Sequence, residues 1–364
     1  MPRNTQPDGG LDPPIGREDT MTTFAFTRRP LVGALAAAAL VGSTLSAAAQ
    51  ELNLYTSREP ALIKPLLDEF TKQTGIKVNT IFAASGLEER LRTEGANSPA
   101  DVLLTVDIGR LQQAKEYGVT KPVTSAVLDK AIPAPYRDPE GHWFGVSMRG
   151  RVVYASKDRV KQDAIAYEEL ADPKWRGKIC TRSGQHVYNV ALFGAVVAHK
   201  GEAKAEEWLK GLKANLAKKP SGGDREQAKD ILAGACDIAL GNTYYVGLMR
   251  TSANEQRQWG EAIKVIMPTF QETGGTHVNI SGVAMAKAAP NPESARKFME
   301  FMVSDAAQKI YADVNFEYPV KPGTPLDETV ASFGQLKPDT LPIAEVAKHR
   351  KTASQLVDKV GFDN

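Results

Sequence analysis

From Glu51 onward, short apolar runs alternate with longer segments whose apolar residues recur at helical spacing. Residues 52–55, 76–82, 102–106, 151–155, 178–182, 236–240, 263–267 and 278–286 are rich in Val, Ile, Leu and other strand formers, and read as strands. Residues 61–73 place Leu62, Leu66 and Phe70 on one face of a helix, with Gly75 as a stop signal and Pro65 as an irregularity in its middle. Residues 293–312 set Phe298, Phe301, Met302 and Ile310 at roughly helical spacing. Strand–helix alternation predicts α/β domains with largely parallel sheets. Ligands in such folds sit outside the carboxyl ends of strands, where helices begin.

The first 49 residues follow different rules. Residues 2–20 mix Pro, Gly and both charges, whereas Met21 opens a segment with Arg28 and Arg29, an apolar run over 31–42, and small residues at Ala47-Ala48-Ala49. That pattern reads as an export signal starting at Met21 and ending before Gln50. Thr27-Arg28-Arg29-Pro30-Leu31-Val32 fits a twin-arginine signal and an ordinary secretory signal equally well. The run is short for a membrane span, and no later run approaches that length, so no membrane insertion is expected after processing. The expected location is outside the cytoplasm.

The chain of 364 residues is long enough for two domains. Its 42% hydrophobic and 24% charged composition is that of a folded protein. A net charge of +2 with scattered Lys and Arg gives no basic stripe, which argues against a nucleic-acid partner.

Two stretches share a layout. In GKICTRSGQHVYNV, Cys180 lies in a strand and Tyr188 opens a helix; in GACDIALGNTYYVG, Cys236 lies in a strand and Tyr244-Tyr245 open the next segment. Each Cys precedes its Tyr by eight residues. These are the two cysteines of the chain, and outside the cytoplasm a Cys180–Cys236 disulfide is expected, with two separate buried thiols as the alternative. Such a bond, closing a 56-residue loop, would stabilise the fold by about 4 kcal/mol in the chain-entropy model.

Three tyrosines at helix-opening positions on one sheet edge suggest phenolate chemistry. A phenol is neutral near pH 7, but a highly charged cation and a helix N-terminus both favour its anion. Ferric iron is small, highly charged and oxygen-seeking, which suits such donors. Tyrosines in a core or interface have the same composition, so the pattern alone leaves that reading open. Near the start, Tyr55-Thr56-Ser57-Arg58-Glu59-Pro60 ends a strand and starts a helix, where Thr56 or Ser57 would cap and Pro60 is tolerated. Backbone N–H groups there, with Arg58, would bind an anion such as carbonate. Arg149 and Arg151 are further candidates for the same anion, and a plain surface charge is the alternative for Arg58.

Enzymatic signatures are missing: the chain has no H-E-x-x-H, G-x-S-x-G, Walker A or G-x-G-x-x-G motif. His142, His186, His199, His277 and His349 lack metal-ligand spacing; His186, two residues before Tyr188, reads as a solvated loop residue, with a supporting role behind Tyr188 as the alternative. Glu69, Glu88 and Glu89 read as solvated helix faces rather than an acid–base pair. The expectation is a binding protein, not an enzyme.

The stretches LNLYTSREP, SPADVLLTVD, HWFGVSMRGRVVY, ELADPKWRGKICTRSGQHVYN, GGDREQ, GNTYYVG, GTHVNISGV and EYPVKPG resemble the periplasmic ferric-ion-binding proteins of bacterial iron ABC importers. The resemblance covers nearly all of the chain after the signal. It implies a two-lobed α/β fold of the type II periplasmic binding class, with a hinge of two chain crossovers and an interlobe cleft. One lobe would hold residues 51–150 and about 275–322, the other about 151–274 and 323–364. The resemblance further implies that Tyr188, Tyr244 and Tyr245 ligate Fe³⁺. In the subgroup with the Cys180 and Cys236 pair, it implies a synergistic carbonate near Arg58. The closed form, expected to be a monomer, would then deliver the ion to an inner-membrane ABC permease. Some relatives carry His-Tyr where this chain has Glu59-Pro60, which removes two ligands and leaves Glu59 as either a metal ligand or a helix-start acid. Rival readings are a protein of the same fold for an oxyanion, thiamine or a polyamine, and an exported hydrolase.

Overall fold

The computed structural model describes residues 50–364, so the export-signal reading falls outside the described residues. Ten strands form one continuous mixed sheet: β1 (Glu51–Thr56), β2 (Lys77–Phe82), β3 (Val102–Thr105), β4 (Thr120–Lys121), β5 (Phe144–Ser156), β6 (Ile179–Cys180), β7 (Ile238–Asn242), β8 (Ile263–Ile266), β9 (Val278–Ala286) and β10 (Tyr318–Pro319). The main path runs β2-β1-β3-β9-β5-β7-β6. Residue pattern matches position: β9 is buried at every residue in the middle, whereas β2 at the edge has no buried residue.

The pairing is less parallel than the alternation predicted. β1 pairs in parallel with β2 and β3, and β6 with β7, but β9 runs antiparallel to β3 and β5, and β5 antiparallel to β7 and β8. The physical reason lies in β5 and β9, which serve as long connecting strands rather than members of β-α-β units. β5 pairs with β9 through Gly150 and with β7 from Arg151 onward, so one strand belongs to both halves of the sheet. Beside this change of partner, the Arg151 N–H donates to the His277 carbonyl at 3.0 Å.

Each half has its own core. One packs Leu54, Leu66, Phe70, Leu104, Phe298 and Tyr311; the other packs Val153, Phe193, Trp208, Leu240, Phe270 and Phe362. Between them, Tyr154, Cys180, Tyr188, Tyr244, Phe316 and Tyr318 form a third apolar cluster. The result is a two-lobed molecule.

Helices α1 (Pro60–Thr74), α2 (Leu87–Glu94), α3 (Ile108–Glu116), α4 (Ala126–Ala131), α5 (Val187–Lys200), α6 (Glu202–Ala214), α7 (Asp224–Leu232) and α8 (Thr243–Arg250) lie between strands. α1 stays continuous through Pro65 and ends on Gly75 in the left-handed conformation, with Leu62, Leu66 and Phe70 buried. Neither Thr56 nor Ser57 caps it: the N-cap is Glu59 and makes no side-chain bond, with Pro60 at the first position. The predicted 293–312 helix is two helices, Pro292–Phe301 and Asp305–Asp313, because the Ser304 hydroxyl caps the second by accepting from Ala307 N–H. Glu88 departs from a solvated face; it is buried, and burial raises its carboxyl above the ordinary range.

Candidate functional site

β6 and β7 lie side by side, and the chain after each turns into a helix at the same end of the sheet. Tyr188 is the second residue of α5; Tyr244 and Tyr245 are the second and third of α8. Cys180 in β6 and Cys236, which lies two residues before β7 and not in a strand as the sequence suggested, are joined with 5.8 Å between Cα atoms, which ties together the two arms that carry the tyrosines. The β7-to-α8 turn requires Gly241, since a Cβ there would meet the Tyr154 ring at 2.1 Å. Tyr154 Oη donates to the Asn242 carbonyl at 2.5 Å and so locks the turn.

The arrangement brings the three tyrosines together. Tyr188 Oη and Tyr244 Oη are 3.3 Å apart, and the Tyr244 and Tyr245 ring centres are 4.1 Å apart. All three rings are buried, and with Ser57, Arg58, Glu59, Arg110, Arg182 and His186 they line a cavity of about 180 Å³. The expected metal candidates and Arg58, Ser57 and Glu59 therefore share one wall-to-wall space. Thr56, Arg149 and Arg151 do not line it. The Thr56 hydroxyl accepts from Arg58 N–H at 3.0 Å, and Arg151 is held by Asp224 at 2.7 Å and Asn189 at 2.7 Å.

Guanidinium groups surround the phenols. Arg182 lies 5.1 Å from the Tyr188 ring centre, Arg149 5.6 Å, and Arg225 4.8 Å from that of Tyr245. Arg58 is buried against Glu317 at 2.9 Å, and its other terminal nitrogen donates to Ser281 Oγ at 3.0 Å. Ser57 Oγ, Arg58 Nε and both Nε and Nη2 of Arg149 are buried with no hydrogen-bond partner among the described residues. Unpartnered buried donors of this kind suit an anion. Glu59, which also lines the cavity, is exposed and reaches Arg225 at 3.6 Å.

Burial, followed by the neighbouring phenol Tyr188, pushes Tyr244 and Tyr245 well above the usual phenol range, so both are neutral as the protein stands. A cation that binds them must displace their protons. His186 is not a solvated loop residue: its Nδ1 caps α5 by accepting from Tyr188 N–H at 3.3 Å, and its ring packs edge-on 4.6 Å from that of Tyr188. Burial, aided by Arg182, lowers it to about 3, which keeps it neutral.

Sequence reasoning missed Arg182, Arg110, Arg225, Asp224 and Glu317. Asp224 is fully buried, accepts from Arg151 at 2.7 Å, Arg182 at 3.3 Å and Asn242 N–H at 2.9 Å, and so joins α7 to both tyrosine-bearing arms. Its signal was the acid-base pair in GGDREQ, just before a helix. Among the described residues, no three His, Cys, Asp or Glu side chains are grouped to hold a metal.

Comparison with known proteins agrees with this architecture. Residues 55–309 match the model of the bacterial extracellular solute-binding protein family. Iron uptake protein A1 of Synechocystis sp. is 44% identical over 316 residues, 86% of this chain and 88% of its own. The Bordetella ferric binding protein structure superposes with a TM-score of 0.80 at 58% identity, covering 86% of this chain and 100% of that one. A Trichodesmium protein in complex with iron and citrate ligands gives a TM-score of 0.81 at 42% identity, covering 86% and 99%. With its two-lobed α/β fold of the type II periplasmic binding class, the chain belongs to the bacterial extracellular solute-binding proteins, in the branch that holds the iron uptake and ferric-binding proteins.

Proposed function

We propose that the protein captures ferric iron through the phenolate oxygens of Tyr188, Tyr244 and Tyr245, together with a carbonate-class anion at Arg58, and delivers it to an inner-membrane ABC permease. The observation that carries this reading is the convergence of the three tyrosines on one small cavity, with two hydroxyls 3.3 Å apart. An octahedral ion with oxygen donors at ~2.1 Å holds adjacent donors ~3 Å apart, so these two need to close by only a few tenths of an ångström. Three phenolates neutralise the charge of Fe³⁺, and the surrounding guanidiniums favour the anionic donors.

Three tyrosines leave three octahedral positions open, two of which a bidentate anion held by Arg58 and Ser57 fills. Arg149 faces the same Ser281 hydroxyl as Arg58, at 3.2 Å, and supports the anion from behind; Arg151 instead holds Asp224. Glu59, engaged with Arg225, acts as a clasp at the cavity wall rather than a ligand. The lobes are residues 51–150 with about 275–322, and about 151–274 with 323–364. This division is supported by the partner change of β5 between Gly150 and Arg151 and by the composition of the two cores. The names of the relatives support iron as the solute, and a periplasmic binding role rather than turnover.

Chelator competition on the purified protein tests the ligand set. Tyr188→Phe and Tyr245→Phe each weaken ferric binding by at least a hundredfold while leaving the unfolding midpoint within a few degrees of wild type. Full affinity in both variants removes the phenolate mechanism.

A further inference from the structure

Behind the cavity, Arg58 and Arg149 bracket Ser281: both donate to its hydroxyl, at 3.0 and 3.2 Å. Among the described residues, the two buried guanidiniums thus face a single directly bonded carboxylate, that of Glu317, which pairs with Arg58 at 2.9 Å. Glu317 is itself buried and accepts from the Ser147 hydroxyl. Its backbone is held tightly. The preceding Phe316 takes a positive φ of 56°, unusual for a bulky residue, and the Glu317 N–H donates to the Tyr311 carbonyl at 2.9 Å. Phe316 is jammed against α8, where a Cβ at Gly247 would meet its ring at 2.3 Å, and Asn315 donates to the Leu62 carbonyl of α1 at 3.1 Å. The segment that presents Glu317 is therefore wedged between the helix carrying Tyr244 and the helix beginning beside Arg58. Strain of this kind is retained where a side chain must be aimed.

We propose that Glu317 is the built-in counter-ion of the anion site: its carboxylate occupies Arg58, competes with an exogenous carboxylate or carbonate for that guanidinium, and so sets how much anion the protein requires. This inference rests on the anion reading of Arg58 given above. The charges around the pocket explain why the competition is incomplete. Glu317 neutralises one guanidinium, and Arg149, with Nε and Nη2 unpartnered, keeps the pocket attractive to a second anion. Without Glu317, both positive charges would be open to any small anion; with it, an anion binds the iron-free protein weakly and gains fully only beside a bound cation.

The test titrates iron-free protein with bicarbonate and with oxalate in a calorimeter, so that it does not depend on iron binding. Glu317→Gln keeps the shape and removes the competing charge, and binds both anions about tenfold more tightly or better, within the range typical of coupled ligands. Ser147→Ala removes a neutral donor from Glu317, concentrates its charge on Arg58, and weakens anion binding. Unchanged or weaker binding in folded Glu317→Gln overturns the proposal. If that variant does not fold, unchanged or tighter binding in Ser147→Ala overturns it instead. A ferric titration run in parallel separates the two readings, because loss of iron binding with an intact anion response contradicts the ferric site and not the role of Glu317.

Discussion

Asp224 is the buried charge on which the site's scaffold depends most, and Asp224→Asn probes it. The carboxylate has no solvent exposure; it holds Arg151 at 2.7 Å, Arg182 at 3.3 Å and the N–H of Asn242 at 2.9 Å. Asparagine keeps one acceptor oxygen but replaces the other with a donor that faces a guanidinium. Arg151, also buried, is left with Asn189 and Asn242 as partners and no carboxylate in contact. Removing one partner of a buried pair costs about 3–5 kcal/mol, because the remaining charge stays desolvated. The assay is urea unfolding of the iron-free, oxidised protein at neutral pH, where a lower midpoint with an unchanged m-value reports stability. Arg182 and Asn242 also fix the arms bearing Tyr188 and Tyr244, so ferric affinity falls as well. Burial alone would raise the Asp224 carboxyl, but Arg151 and Arg182 outweigh it and hold it below the ordinary value of 3.8. Its stabilisation is therefore present above pH ~4 and is lost as pH falls through the folded-state value. A stability loss under about 1 kcal/mol in Asp224→Asn refutes the reasoning, since the buried guanidiniums would then be solvated by other means.

Other predictions concern the rest of the scaffold. The Cys180→Ser, Cys236→Ser double variant loses about 4 kcal/mol, from a loop of 56 residues, and denaturation with and without reductant checks it; no difference contradicts the cross-link's role. Burial first, with Arg151 and Arg149 assisting and Asp339 opposing, lowers His277 beside the β5 crossover to about 3. Its neutral form is stabilising above pH ~6.5, and that contribution shrinks as pH falls toward 3, by at most ~5 kcal/mol at about 1.4 kcal/mol per pH unit. His277→Gln accordingly flattens the acid limb of the stability curve, and an unchanged limb contradicts the assignment.

The parts of this molecule that were legible in its sequence are those set by local pattern. Apolar runs located β1, β2, β3, β7, β8 and β9, and the Leu62–Leu66–Phe70 stripe located α1, because burial on one face is written in residue spacing. The expected Cys180–Cys236 link placed Tyr188 and Tyr244 near one sheet edge, and the structure joins the cysteines and brings the two hydroxyls together, although in the strand register Cys180 faces Ala239 rather than Cys236. Two things stayed hidden. The first half of β5 contains Gly145, Ser147, Arg149 and Gly150, which interrupt the apolar pattern, so the expected strand began only at Arg151 and the rest forms where β9 supplies a partner. The polar network around the phenols pairs residues far apart in the chain, Arg58 with Glu317 and Arg151 with Asp224, and no local period records such a pairing. The place of His186 two residues before Tyr188 allowed a supporting role beside the loop reading, but nothing local showed that its ring would turn back to cap α5.

Visible absorption of the iron-free protein titrated with chelated ferric iron, with and without bicarbonate, tests the central claim most directly. The account predicts a phenolate-to-iron charge-transfer band that saturates at one ion per chain, strengthens with bicarbonate and diminishes in Tyr188→Phe. A folded protein that develops no such band contradicts it.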